Sequence, residues 1–380
     1  MLFRFDSPQG SFTLERYPHT GNPSFQPWDA GDLLLLKELS STPIGPGSRV
    51  LVMNDSFGAL TCALSFLKPD YYNDSYLAQK ALARNLETNG IQSCNVRILN
   101  MDELIQGTGK YDLVMGKIPK HLSYLEMILQ VLLIRTHPQS RIMLGGMTRH
   151  ISRGVYHVCT KVFGSYTTSL AAKKARLIFL SPEQKTEVPD HPLSPADWIN
   201  TEQWNGYTLV KLPNTFAQRG IDRGSRVLVS CLPHRTGPLS VLDLGCGNGF
   251  LSLAAALEYP EARIRGIDES ALAVRSAELT FTRSMPDRDA KFTLMDGGSL
   301  EFQERFDLIL CNPPFHEQAA VNRKLALGMI LEAKKVLAAD GHILVVANTS
   351  LGYQGVLAQY FPNMTVLARE RGFSVFDLSS

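Results

Sequence analysis

Short apolar runs alternate with stretches of helical period through most of the second half of the chain. Ser240–Leu244 reads as a strand and Phe250–Glu258 as a helix, followed by a strand at Arg263–Ile267 and a helix at Ser270–Thr280. A strand at Phe306–Cys311, a helix at Arg323–Leu337 and a strand at His342–Ala347 continue the order. Strands separated by helices can lie parallel and have both faces covered, so the pattern predicts an α/β fold with a doubly wound, mostly parallel sheet. Upstream, WINTEQWNGYTLVKLP alternates apolar and polar positions around Asn205-Gly206, which predicts a hairpin closed by a type I′ turn.

The pattern occurs twice. VLVMNDSFGALTCALSFLKP, from Val50, matches VLDLGCGNGFLSLAAALEYP, from Val241, with Gly58/Gly249, Leu60/Leu251, Ala63/Ala254 and Pro69/Pro260 identical at an offset of 191. At an offset of 195, NDSYLAQKALARNL echoes DESALAVRSAELTF, and YDLVMGKIPK echoes FDLILCNPPF. Three matches in one order predict two tandem domains of the same fold. Prolines, acids and polar residues cluster without periodicity over Ser181–Asp197, which predicts a first domain over 1–185, a linker over 186–197 and a second domain over 198–380.

Length agrees, since 380 residues exceed what one compact core usually holds. Apolar residues make up 44% and charged residues 19%, ordinary for a globular protein, and no apolar run is long enough for a membrane span. The N-terminal segment MLFRFDSPQGSF lacks a secretory pattern, and the six scattered cysteines include no CxxC pair. Reduced thiols, no metal and a cytoplasmic location are therefore expected.

In the second half, Asp243-Leu-Gly245-Cys-Gly247-Asn-Gly249 follows a strand and opens a helix. Glycines there let the backbone turn tightly and approach a ligand, although a plain strand-to-helix turn has the same composition. Asp268 ends the next strand, where an acid can accept both ribose hydroxyls or cap the following helix. Asp296 follows a third strand and suits either an adenine amino group or the start of a turn. Asn312-Pro313-Pro314-Phe315 ends the strand FDLILC, at the edge where such sheets bind ligands. Its prolines free carbonyls and fix their aim, and the Asn oxygen with one such carbonyl can accept both hydrogens of an amino group. Phe315 can stack on an extruded base; alternatively the tetrapeptide is a rigid turn and Phe315 a core residue.

In content, order and spacing these residues resemble the class I S-adenosylmethionine-dependent methyltransferases. The resemblance implies two Rossmann-like domains, with Asp243, Gly245, Gly247 and Gly249 around the methionine moiety of S-adenosylmethionine, Asp268 on the ribose and Asp296 near the adenine. The pattern [ND]PP[YFW] marks enzymes that methylate adenine N6, cytosine N4, guanine N2 or a protein glutamine amide. With His316, NPPFH resembles the ribosomal RNA guanine-N2 subgroup; His316 is a phosphate or base contact there, or a loop histidine. The segment NTFAQRGIDRGSRVLVSCLP resembles the loop that closes over the cofactor in that subgroup, with Phe216, Arg219, Asp222 and Gly224 at the matching positions.

The first half departs from the pattern. Asn54 and Ser56 replace two loop glycines, and Lys117-Ile-Pro-Lys120 replaces the tetrapeptide, so this domain is expected to be degenerate, without cofactor or catalysis. From Met127 to Pro182 there is no Asp or Glu, while Arg135, Arg141, Arg149, Arg153, Lys161, Lys173, Lys174 and Arg176 all fall in that stretch. Net charge of only +2 thus hides a basic region suited to RNA phosphates. We take Lys117, Lys120, Arg149, Arg153, Lys173, Lys174 and Arg176 as its RNA-facing candidates. Over essentially the full length the chain resembles the two-domain bacterial ribosomal RNA guanine-N2 methyltransferases. FTLERYP, GKIPK and AAKKAR resemble the large-subunit members most, which implies 23S rRNA with little bound protein as substrate and a monomeric enzyme. Alternatives are 16S rRNA with the same chemistry, a protein-glutamine N5-methyltransferase, and an RNA-binding protein with a relic cofactor site.

Overall fold

Each half of the chain builds one seven-stranded mixed sheet, and the contacts divide the molecule into two units, residues 1–198 and 199–380. The computed structural model describes residues 1–19, 22, 24–41, 44–45, 47–182, 193–314 and 319–379.

The first unit opens with a hairpin, β1 (Leu2–Ser7) and β2 (Gly10–Glu15), and a helix, α1 (Ala30–Ser40). Then follow β3 (Val50–Met53), α2 (Ala59–Ala63), β4 (Asp70–Tyr72), α3 (Tyr76–Thr88), β5 (Arg97–Leu99), α4 (Met101–Gln106) and β6 (Tyr111–Lys117). It closes with α5 (Leu122–Arg135), β7 (Thr136–Met147), α6 (Arg153–Phe163), β8 (Thr167–Thr168) and β9 (Ala175–Leu180). The sheet order is β5-β4-β3-β6-β7-β9-β8, parallel except for β9, which is antiparallel to both of its neighbours.

The second unit repeats this plan. A hairpin, β10 (Asn200–Trp204) and β11 (Tyr207–Lys211), precedes α7 (Arg223–Val229), β12 (Ser240–Leu244), α8 (Phe250–Glu258), β13 (Arg263–Asp268), α9 (Ala271–Ser284) and β14 (Ala290–Leu294). The rest is β15 (Phe306–Cys311), α10 (Ala319–Lys335), β16 (Leu337–Asn348), α11 (Tyr353–Leu357), β17 (Asn363–Glu370) and β18 (Phe373–Ser379). The order β14-β13-β12-β15-β16-β18-β17 matches the first sheet strand for strand. Both units are therefore α/β, with the mostly parallel sheet expected from the alternating pattern and the Rossmann-like form that the resemblance implies.

The hairpin turn is as expected, with Asn205 and Gly206 at φ of 50° and 82°. Several element limits differ from the sequence reading. Helix α9 runs on to Ser284, α10 spans Ala319–Lys335 rather than the expected Arg323–Leu337, and β16 starts at Leu337, five residues before the apolar alternation becomes visible. A register shift between Phe306 and Leu308 accommodates the polar Ala-Asp-Gly stretch.

Strand β12 is buried along its whole length and pairs with β13 on one side and β15 on the other. Chain order reverses there, so the helices leaving β12 and β15 go to opposite faces and a crevice opens at the strands' carboxyl ends. One core layer, with Phe250, Leu253, Ala277 and Phe281, covers one face; Ala326, Ile330, Leu357 and Phe376 cover the other. Among the described residues no helix is long and apolar enough to cross a membrane, no cluster of side chains could hold a metal ion, and the six cysteines are free thiols. Of the expected linker, residues 186–192 lie outside the described residues, and Pro195–Trp198 form a short 3-10 turn.

Candidate active site

The three glycines after β12 are required for different reasons. All have positive φ, 84° at Gly245, 54° at Gly247 and 79° at Gly249, a region that strains any residue with a Cβ. A Cβ on Gly249 would press on the Ala277 backbone of α9 at 3.2 Å, so this glycine serves helix packing. At Gly245 and Gly247 the nearest atoms would be 3.9 and 4.0 Å away, so a Cβ there would fill open cleft instead. The loop is tied down from behind: the amides of Gly245 and Cys246 donate to the Ile267 carbonyl at 2.9 and 2.8 Å, and the Gly247 amide donates to Asp268 at 2.9 Å.

The three acids have distinct surroundings. Asp243 is fully buried; one carboxylate oxygen accepts from the Ser252 amide and hydroxyl at 2.9 and 2.6 Å, while its Oδ1 has no partner. Burial pushes its pKa up to about 7. Asp268 accepts from Gly247 and, at 2.9 Å, from the Ser270 amide, but the cap of α9 is Ser270, whose hydroxyl accepts from Ala273. The capping role considered for Asp268 thus belongs to its neighbour. Asp296 is buried and accepts from the Gly298 amide at 2.8 Å, which is the turn geometry its position allowed.

Asn312 follows the last residue of β15. Its Nδ2 donates to the Asp222 carboxylate at 2.9 Å and to the Ser225 hydroxyl at 2.8 Å. Both belong to the start of α7, where Asp222 is the N-cap. Pro313 is buried and Pro314 exposed, while Phe315 and His316 lie outside the described residues. Asn312, Gly245–Asn248 of the glycine loop, Phe216, Ile221 and Phe250 line one small cleft. Phe216 is 49% exposed and stands over Gly247; Arg219 is exposed. Ser225 was not singled out from sequence, although Asp29-Ala-Gly-Asp32 and Asp222-Arg-Gly-Ser225 stand at one offset in the two halves.

A nucleotide-bearing donor fits this arrangement. Two glycines at positive φ leave backbone and cleft unobstructed, and a buried carboxylate oxygen lacks the partner that burial demands.

The corresponding place in the first unit is filled by the protein itself. Asp55 puts its carboxylate on the amides of Gly58 and Thr61 at 3.1 and 2.8 Å, at the start of α2. Asn54 donates to the Lys117 carbonyl and accepts from the Tyr124 hydroxyl. Asn73 stands where the second unit has Asp268.

Tertiary structure also sorts the basic residues. Arg149, Arg153, Lys173 and Lys174 are exposed at the carboxyl edge of the first sheet, where the Lys174 carbonyl accepts from Thr148 at 2.8 Å; Lys120, also exposed, follows β6 at that edge. Lys117 differs from its expected role: its side chain is 16% exposed and its ammonium pairs with Asp29 and, at 3.1 Å, with Asp32. Arg176 is half-buried against the Tyr156 hydroxyl, Arg135 is interior, and Lys161 pairs with Glu126 at 2.6 Å.

Residues 3–184 match the family model "RLMG N-terminal domain", and residues 206–377 match "Methyltransferase small domain". "Ribosomal RNA large subunit methyltransferase G" of Pseudomonas syringae pv. tomato is 36% identical, over 95% of this chain and 96% of its own length. The protein of that name from Pseudomonas aeruginosa is 35% identical over 98% of both chains, and that from Psychromonas ingrahamii 34% over 96% of both. A T. thermophilus 16S rRNA methyltransferase, solved with AdoMet and guanosine, shares the fold at a TM-score of 0.78 and 22% identity, over 100% of this chain and 98% of that one. The chain belongs to the ribosomal RNA large subunit methyltransferase G family.

Proposed function

We propose that the second unit transfers a methyl group from S-adenosylmethionine to the exocyclic N2 amine of one guanine in 23S rRNA that carries little or no protein. The observation that carries this reading is Asn312, whose amide hydrogens are both engaged and whose oxygen is the group left for a ligand in the glycine-loop cleft. When bound, S-adenosylmethionine supplies an electrophilic methyl group on a sulfonium centre. Asp243, Gly245 and Gly247 would hold its methionine part, with Gly249 setting the loop by packing on α9, and Asp268 would hold its ribose and Asp296 its adenine.

The protein's task is to present the amine. The Asn312 oxygen and a carbonyl of Pro313-Pro314 accept the two amino hydrogens, turning the nitrogen lone pair out of conjugation with the ring and towards the methyl group. Prolines hold those carbonyls in place beforehand, so little reorganisation is needed during transfer. Positioning does the work, and no strong general base is required. Phe315 stacks on the extruded base, Phe216 and Arg219 close the cleft, and His316 contacts base or phosphate.

The cationic carboxyl edge of the first unit supports its role as the RNA grip, through Lys120, Arg149, Arg153, Lys173 and Lys174. Lys117 is left out of this set because its charge is already compensated. A base must be extruded, which requires accessible RNA. The large-subunit names of relatives at 34–36% identity favour 23S over 16S rRNA. We assign the enzyme to the cytoplasm, as a monomer. Incubation with tritiated S-adenosylmethionine and separated 16S and 23S rRNA tests the reading. Label in 23S rRNA is expected; label in 16S rRNA alone, or in a protein glutamine, overturns it.

A further inference from the structure

The residue at the end of the fourth parallel strand, β15 or β6, meets the N-cap of the unit's first helix in both halves. In the second unit Asn312 donates to Asp222 and Ser225 at 2.9 and 2.8 Å. In the first, Lys117 pairs with Asp29 and Asp32, the residues at the matching places of α1. The partners change together. A neutral amide faces one carboxylate and one hydroxyl, whereas an ammonium faces two carboxylates. A glycine lies between the two partners each time, and a side chain there would crowd the pair: a Cβ on Gly31 would lie 2.9 Å from Asp29 Oδ1 and 3.0 Å from Lys117 Nζ, and one on Gly224 would lie 3.1 Å from Asp222 Oδ2. The receptacle is thus built to hold the strand-end side chain.

We propose that Asp222 and Ser225 are positioning residues for Asn312, which take both of its amide hydrogens, turn its oxygen to the cleft and require an amide rather than a carboxylate at position 312. This rests on the reading of Asn312 as acceptor of the substrate amine. An Asn side chain has two faces of opposite polarity, and only the oxygen can accept from an amino group. A carboxylate accepts and never donates, so Asp222 selects the amide's nitrogen and fixes its flip before substrate arrives. Enzymes with Asp-Pro-Pro at this point place a carboxylate here. In this chain a carboxylate at 312 would lie about 3 Å from Asp222, and two ionised groups at that distance repel strongly.

The full-length protein tests this with tritiated S-adenosylmethionine and 23S rRNA transcript. Calorimetry gives the donor Kd, and melting monitors folding. Asn312→Ala is expected to lower kcat by about 100-fold or more with donor Kd within about 3-fold. Asn312→Asp should lower kcat as far, although it keeps an acceptor oxygen. Combining Asn312→Asp with Asp222→Asn, which removes the second charge while keeping a good cap residue, should recover at least about 10-fold of kcat. Ser225→Ala removes one of two anchors and should lower kcat about 3- to 10-fold without changing donor Kd. Full activity in Asn312→Ala would remove the acceptor reading itself. An inactive Asn312→Ala together with an Asn312→Asp that is active, or that Asp222→Asn fails to rescue, overturns the positioning role alone.

Discussion

Ser252 gives Asp243 both its backbone amide and its hydroxyl, and both land on the same carboxylate oxygen, at 2.9 and 2.6 Å. The other oxygen stays buried without a partner, and burial raises the pKa to about 7. A carboxyl whose folded pKa exceeds its unfolded value favours folding most fully below the unfolded value of 3.8, and that contribution is lost as pH rises through 7. Asp243→Asn should therefore flatten the pH dependence of stability between about pH 4 and 7, by up to about 4 kcal/mol. Thermal melts of both proteins without donor across that range decide it; parallel curves would mean that Asp243 stays ionised.

Gly247→Ala combines a left-handed backbone with a methyl group placed in the cleft. Strain alone should cost about 1–2 kcal/mol of stability. Donor affinity should fall by more than about 10-fold, a loss of over about 1.4 kcal/mol, if the loop cradles the ligand. Calorimetry with S-adenosylmethionine checks this; unchanged affinity would move the donor elsewhere.

Lys173 and Lys174 occupy the turn before β9 with φ of 47° and 62°, angles that an Asn-Gly pair adopts far more readily. The double substitution Lys173→Asn with Lys174→Gly should stabilise the first unit by about 1 kcal/mol or more. RNA affinity should drop, and its logarithmic salt slope should shrink by about 0.7–0.9 per phosphate contact removed. Melting and filter binding at several salt concentrations measure the two effects. Stabilisation without loss of affinity would remove these lysines from the RNA-facing set.

Lys117→Ala should behave oppositely. It strips the counter-charge from Asp29 and Asp32 and leaves buried acid behind, at a cost of about 3–5 kcal/mol in stability. The salt slope of RNA binding in the folded fraction should not change. Denaturant unfolding monitored in the first unit is the direct measurement.

Much of the site was legible because it lies on short segments with strong local rules. Gly245, Gly247 and Gly249 announce a backbone that only glycine tolerates, and Asn312-Pro-Pro announces rigid carbonyls at a strand end. Element limits were legible where apolar periodicity was clean, as in β12 and α8, and were lost at β16, where Ala338–Gly341 interrupt it. Ser225 was missed because a serine on a short helix has no signature until the strand end it meets is known.

The sequence by itself determined two α/β units of one fold, because alternating apolar runs and helical periods act within a few residues of the chain. Tertiary structure decided which polar groups remain available. Lys117 and Lys174 look alike along the chain, but Asp29 lies 88 residues before Lys117 and neutralises it, whereas Lys174 stands exposed at a hairpin tip. Asn312 acquires a defined orientation only from Asp222, 90 residues away. A charge or an amide takes its chemistry from whatever the fold packs beside it, and that neighbour is set by the topology of the sheet.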